Sequence, residues 1–220
     1  MLLTLWFLGY IDLYFADEAG FNLNPYVPYA WQKEKQTQRI LARKGGKRLN
    51  VFGLMSLAGH LTVCHRETPI DGEFVKASLS DFSTKPYEKP RVIVLDNGPV
   101  YHARVIRDEL ENWESADMLL FYLPTYSPHL NPIEILWRFC KYKWLNKVAY
   151  KSWSKLKKAI LAIFNFYGSV YRIDFRKMID KNIVGNVKVN FALLLTMHTI
   201  HLFLGWMTGM FMNRFVDAGR

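Results

Sequence analysis

Three acidic side chains stand where a folded chain could use them together: Asp17, Asp96 and Glu134. Asp17 closes the apolar run IDLYFA, Asp96 closes VIVL, and Glu134 follows a loop stiffened by Pro124, Pro128 and Pro132. Carboxylates gathered at one edge of a sheet offer the hard oxygen donors that Mg²⁺ and Mn²⁺ prefer. Two such ions held close together can activate a water or a 3′-hydroxyl and stabilise the leaving oxygen of a phosphodiester. Taken singly, two of them have a simpler reading. Asp17 would serve as a turn or cap acid, and Glu134 would form an i,i+4 ion pair with Arg138 on a solvated helix face. The coincidence of all three at element ends favours the ligand reading.

The elements that must position them are legible. Residues 11–16 read as a strand ending at Asp17. Glu18 is adjacent, and because a strand alternates its faces it is expected to point away from the Asp17 side. Residues 92–95 read as a buried strand, closed by the turn Asp96-Asn97-Gly98-Pro99. An amphipathic helix over 103–114, through Val105, Ile106, Leu110 and Trp113, leads to a strand over 118–123. That order implies a right-handed crossover and parallel pairing, with the strand ends at one sheet edge. Residues 51–58 and 61–67 read as an antiparallel hairpin, and 70–83 as a helix through Phe74, Val75, Leu79 and Phe82. For the last acid, Asn131 suits the N-cap, Pro132 the first helical position and Glu134 the third. Ile133, Trp137, Cys140 and Trp144 mark the buried face of that helix, and Glu134 lies in line with Arg138 and Lys141 on its neighbour. The whole is an α/β arrangement, a mixed sheet flanked by helices.

The chain has 220 residues, half of them hydrophobic, enough for one good-sized domain plus an appendage. Its 29 basic and 19 acidic residues leave a net charge of +10, which favours a polyanionic partner. The run 39–50 carries Arg43, Lys44, Lys47 and Arg48 around Gly45-Gly46, either a contact to a DNA backbone or a solvated basic loop. Lysines from Lys141 to Lys158 interleave with Trp144, Trp153, Leu156 and Ile160, as phosphate-contacting or merely solvated helices would. Tyr126 and Ser127 would touch DNA or brace their loop. Cys64 and Cys140 form no disulfide framework and no zinc spacing.

The segments YFADEAGF, VIVLDNGPVYHA and LPTYSPHLNPIEILW resemble the three acid-bearing blocks of DDE transposases, most of all the bacterial insertion-sequence branch related to the mariner superfamily. The resemblance runs from about residue 11 to about residue 160, and its last block is the most specific. It implies an RNase H-like fold. It implies Asp17, Asp96 and Glu134 as a catalytic triad holding two Mg²⁺ or Mn²⁺ ions, with Asn97 and His102 as polar neighbours of Asp96. The activity implied is DNA strand cleavage and strand transfer of an insertion sequence, by a dimer or larger synaptic complex in the bacterial cytoplasm, at the nucleoid. DNA contacts are expected from Arg43, Lys44, Lys47, Arg48, Tyr126, Ser127, Arg138 and Lys141. The alternatives are a truncated, unproductive DNA-binding remnant and another RNase H-like nuclease.

The expected organisation is a catalytic domain over 1–185 and an apolar tail over 186–220. Residues 1–10 read as a lead-in and core strand rather than a signal peptide. Mariner-like transposases carry helix-turn-helix domains ahead of this one, so their absence here calls for a separate helix-turn-helix subunit or marks a truncated copy. The uncharged run 191–212 is long enough to span a membrane. It reads as an extra apolar C-terminal helix, buried, dimerising or membrane-bound, or as a non-native tail; the last reading is favoured, and a transposase needs no membrane.

Overall fold

In a computed structural model of the protein, residues 2–25, 46–125 and 127–175 are described. The chain divides into two compact units, Gly9–Ile173 and Met1–Leu8 together with Asp174–Arg220. In the second of these the described element is a short helix, α1 (Leu2–Phe7), where the sequence pattern led us to expect a lead-in to a strand. The run 191–212 lies outside the described residues.

The larger unit is built on five strands: β1 (Asp12–Asn22), β2 (Arg48–Ser56), β3 (Leu61–Arg66), β4 (Arg91–Leu95) and β5 (Met118–Tyr122). Their order across the sheet is β3-β2-β1-β4-β5. The pairs β1–β2 and β2–β3 are antiparallel, whereas β1–β4 and β4–β5 are parallel. The hairpin and the parallel half are therefore where the sequence pattern put them. β1 differs. It does not end at Asp17 but runs on to Asn22, because β2 pairs with it all the way from Tyr14↔Ser56 to Asn22↔Arg48.

β1 sets the two faces of the sheet. Tyr14 and Ala16 point to one side, where Tyr14 meets Phe82 edge-on at 4.9 Å. That side is covered by α2 (Gly72–Ser83), α3 (Arg104–Arg107) and α4 (Leu110–Ser115), with Val75, Leu79, Ile106 and Trp113 buried against Phe52, Leu54, Ile93 and Leu95. Side chains excluded from water in this way provide the main stabilising term of the fold. The amphipathic helix expected over 103–114 is split in two, by a turn in which Glu109 N–H reaches back only to Ile106 O. Asp71 caps α2 by accepting from Phe74 N–H at 2.9 Å. Arg91 is buried at the start of β4, and its guanidinium donates to Phe82 O, Ser83 O and Ala116 O, at 2.8, 2.9 and 3.1 Å. It thereby satisfies Ser83 O and Ala116 O at the ends of α2 and α4, and adds a second donor to Phe82 O, which also accepts from Lys85 N–H at 3.3 Å.

The opposite side of the sheet carries α5 (Ile133–Phe139) and α6 (Trp153–Asn165). Phe21 from β1, Trp137 from α5 and Phe164 from α6 meet edge-on, with centroids 6.2–6.4 Å apart. Ser152 caps α6. Glu67, just beyond β3, accepts from Trp153 Nε1 at 3.3 Å and from Lys157 at 3.0 Å, which ties α6 to the hairpin.

Candidate active site

The parallel register of β1 and β4 places the first two acids. Their last paired row is Phe15↔Val94. Asp17 and Asp96 each lie two residues further along, so the two strands carry them to the same edge of the sheet, where β1 and β4 have stopped sharing ladder bonds. Asp17 is buried, at 8% exposure, on the α5 side. Glu18, the next residue, turns to the other side, where its carboxylate accepts from Tyr101 O–H at 2.7 Å.

Glu134 is delivered by the proline-rich loop, and a side chain that the sequence pattern assigned elsewhere holds that loop. Asn131 does not cap α5 with its side chain. Its amide donates instead to Ala16 O at 2.9 Å, beside Asp17. The helix begins at Ile133, its N-cap position is Pro132, and Glu134 is its second residue. The physical reason is the open strand edge: Ala16 O has no β4 partner there, and a buried carbonyl without one would cost a lost hydrogen bond. The helix also ends differently from the expected continuous pattern. It passes into a π turn over Cys140–Trp144, closed by Leu145 N–H on Cys140 O at 3.1 Å, and Trp144 is only half-buried. No ion pair joins Glu134 to Arg138 among the described residues, so the simpler reading of Glu134 has no support here.

Asp17 Oδ2 accepts from Trp137 Nε1 at 3.0 Å. The indole has room there because Gly53 lies opposite Asp17 in the sheet. A Cβ on Gly53 would sit 2.7 Å from the Trp137 ring. The Asp17 carboxyl is pushed up to about 8, first by burial and then by repulsion from Glu134, Glu18 and Asp96. Glu18 is also raised, chiefly by burial, with Asp96 again contributing. Asp17 therefore feels the other three acids, and Glu18 feels Asp96, through a poorly hydrated space. Such a cluster is stable only with protons or cations in it. Asp96 is held by its own turn, Oδ1 accepting from Gly98 N–H at 3.0 Å. Its neighbours Asn97 and His102 are hydrogen-bonded to each other, and His102 stacks on Tyr122 at 4.8 Å.

Among the described residues, no three acidic, histidine or cysteine side chains already form a closed cage for an ion. The donor set nonetheless fits a hard divalent cation. It consists of carboxylates only, and Mg²⁺ ordinarily takes one or two of these, completing its shell with water and phosphate oxygens.

Of the residues expected to contact DNA, Lys141 is brought to the acids. Lys141 is half-buried and its ammonium is lowered, first by burial, while Glu134 and Asp17 raise it and Arg48 lowers it. Arg48 lays its guanidinium over Gly20, on the face of β1 that carries Glu18 and away from the Asp17 side. Lys47 and Arg138 are exposed. Ser127 braces its loop, donating to Thr125 O at 3.4 Å while its own carbonyl accepts from Leu130 N–H. Arg43, Lys44 and Tyr126 lie outside the described residues. The sequence pattern gave no site role to Trp137, Gly53 or Tyr101; the one available signal was a glycine inside a strand, which marks a close approach.

The family described as DDE superfamily endonuclease matches residues 12–157, which include all three acids. The chain belongs to that family. A relative from Shigella sonnei, the insertion element IS630 uncharacterized 39 kDa protein, is 24% identical over 129 residues, covering 57% of this chain and 36% of its own length. The Mos1 transposase paired-end complex with left transposon end is similar at a TM-score of 0.57 and 17% identity, over 87% of this chain and 58% of that one. The catalytic domain of Mos1 mariner transposase gives 0.52 and 15%, over 82% and 80%. The Mos1 mariner paired end complex with Mn gives 0.53 and 18%, over 74% and 52%. These likenesses establish the RNase H-like fold. The chain spans little more than a third of the insertion-element protein and about half of the mariner paired-end complex chains. Among the described residues no helix is long and apolar enough to cross a membrane.

Proposed function

We propose that this DDE endonuclease-family chain is the catalytic part of an insertion-sequence transposase, cutting DNA strands and joining a freed 3′ end to a target. The observation that carries the reading is the delivery of Asp17 and Asp96 to the edge where β1 and β4 part, with the Glu134 loop tied to β1 through Asn131 and Ala16. Asp17, Asp96 and Glu134 are the residues that would hold two Mg²⁺ or Mn²⁺ ions. Ions bound there supply the charge that makes a water or 3′-hydroxyl nucleophilic and stabilises the departing oxygen.

The chain's own residues do the rest. Trp137 fixes the Asp17 carboxylate by its indole N–H and keeps bulk water off that side. Lys141 provides positive charge beside the acids for the DNA backbone, and Arg48, Lys47, Arg138 and the lysines after them extend it. The likeness to the Mos1 complexes supports transposon ends and target DNA as substrates, a dimer or synaptic complex as the working form, and Mn²⁺ or Mg²⁺ as the metal. A separate helix-turn-helix subunit for end recognition and a cytoplasmic, nucleoid-associated location follow from the same reading.

The test is strand transfer of a pre-cleaved 3′-hydroxyl DNA end into a supercoiled target with Mg²⁺ or Mn²⁺. Joining by the wild type that is lost in Asp96→Asn is expected. Joining retained by Asp96→Asn would refute the assignment. Salt-sensitive DNA binding by both without joining would favour a core that needs a separate end-binding subunit, or a remnant.

A further inference from the structure

The acids of the site sit on segments that the sheet no longer holds together. Ladder bonds between β1 and β4 stop at Phe15↔Val94, two residues short of Asp17 and Asp96. On the α5 side, Asn131 takes up the slack at Ala16, but it links β1 to the Glu134 loop and not to Asp96. The tie between the two aspartate segments lies on the other face. Tyr101 is buried, at 1% exposure, in the short turn Pro99–His102 that follows Asp96. Its hydroxyl donates to Glu18 Oε2 at 2.7 Å, across 83 residues of sequence. Its N–H donates to Gly98 O at 3.1 Å, and Gly98 N–H in turn donates to Asp96 Oδ1 at 3.0 Å. The base of the turn is fixed from a third side by β5, where Tyr122 O–H donates to Tyr101 O at 3.1 Å. The ring packs at 6.3 Å from Phe52, the residue opposite Glu18 in the sheet.

Resting on the transposase reading above, we infer that Glu18 and Tyr101 are a positioning pair that sets the separation of Asp17 from Asp96, and with it the geometry open to the metal ions. A hydrogen bond to a carboxylate is stronger and more directional than a neutral one, so it suits this task. Glu18 acts through Tyr101 and is not itself a ligand, since it faces away from the Asp17 side of the strand. Partners of this kind, one step removed from the ligands, change metal affinity on the order of ten-fold when removed.

The experiment measures Mn²⁺ binding directly, by electron paramagnetic resonance of the free ion. It uses the full chain with a pre-cleaved 3′-hydroxyl DNA end, and strand transfer is followed against Mn²⁺ concentration in parallel. Tyr101→Phe and Glu18→Ala are expected to weaken Mn²⁺ binding on the order of ten-fold. Strand transfer should recover at high Mn²⁺, and the thermal midpoint should stay close to that of the wild type. Glu18→Gln keeps an acceptor for the Tyr101 hydroxyl and should restore most of the affinity lost in Glu18→Ala. If Glu18→Gln were as damaging as Asp96→Asn while Tyr101→Phe bound normally, Glu18 would be a ligand and the inference would be wrong. Normal Mn²⁺ affinity in Tyr101→Phe would likewise overturn it. Equal binding by wild type and Asp96→Asn would instead sink the reading of the site on which the pair depends.

Discussion

Replacing Asp17 by Asn should make the metal-free protein more stable at alkaline pH, although it removes a proposed ligand. The carboxyl is buried and pushed up to about 8 by burial and by Glu134, Glu18 and Asp96. In the unfolded chain it titrates near 3.9. Between those values the folded state keeps a proton that the unfolded state has released. Stability contributed by the protonated form is therefore complete below about pH 4 and is lost as pH rises through about 8. At about 1.4 kcal/mol per unit, the interval from pH 5 to pH 8 corresponds to roughly 4 kcal/mol. Asn keeps an oxygen for Trp137 Nε1 and presents its amide where a second carboxylate oxygen met the other acids. The assay is urea unfolding in EDTA at pH 5, 6.5 and 8.5, followed by tryptophan fluorescence. The wild type should lose several kcal/mol across that range. Asp17→Asn should lose much less, the remainder coming from Glu18, whose carboxyl is shifted the same way. Saturating Mn²⁺ should restore the wild type most at the highest pH, where the ligands are deprotonated, and leave the variant almost unmoved. A wild type whose stability is flat or rises from pH 5 to 8.5 without metal, or a variant weaker than the wild type at pH 8.5, would refute the reasoning.

Two further substitutions probe the scaffold. Gly53→Ala puts a methyl 2.7 Å from the Trp137 ring and 3.2 Å from Ile133, so it should cost about 1–3 kcal/mol and loosen the indole's hold on Asp17; a shift in urea midpoint worth less than about 0.5 kcal/mol would count against that packing. Arg91→Met keeps the apolar stem but strips the donors from Phe82 O, Ser83 O and Ala116 O, and should cost about 3 kcal/mol or more, read in the same assay; a loss below about 1 kcal/mol would mean that those carbonyls find other partners.

What the sequence displayed and what it hid divide along a physical line. Asp17, Asp96 and Glu134 were legible because each terminates or follows a stretch whose local chemistry is strong: an apolar run, an Asp-Asn-Gly-Pro turn, a proline-laden loop. The hairpin and the parallel strands were legible for the same reason. The errors arose where a group separated by many residues outbid the local preference. An acid after four apolar residues looks like the end of a strand, yet β2 continues to pair, and β1 runs on through Asp17 to Asn22. Asn131 ahead of a proline looks like a helix cap, yet Ala16 O, 115 residues away, lacks a ladder partner and takes its amide. Glu18 looked like a bystander, and Tyr101 like one more aromatic residue after a turn. All three cases meet in the same small region, where β1 and β4 separate. The opening that makes room for a charged site also leaves backbone and carboxylate groups without regular partners, and side chains brought from Asn131, Trp137 and Tyr101 fill those vacancies. The local rules therefore fail where the site lies, besides at α1 and at the break between α3 and α4. A reading of this sequence could locate the acids, but the residues that hold them apart became visible only once the register of β1 against β4 was known.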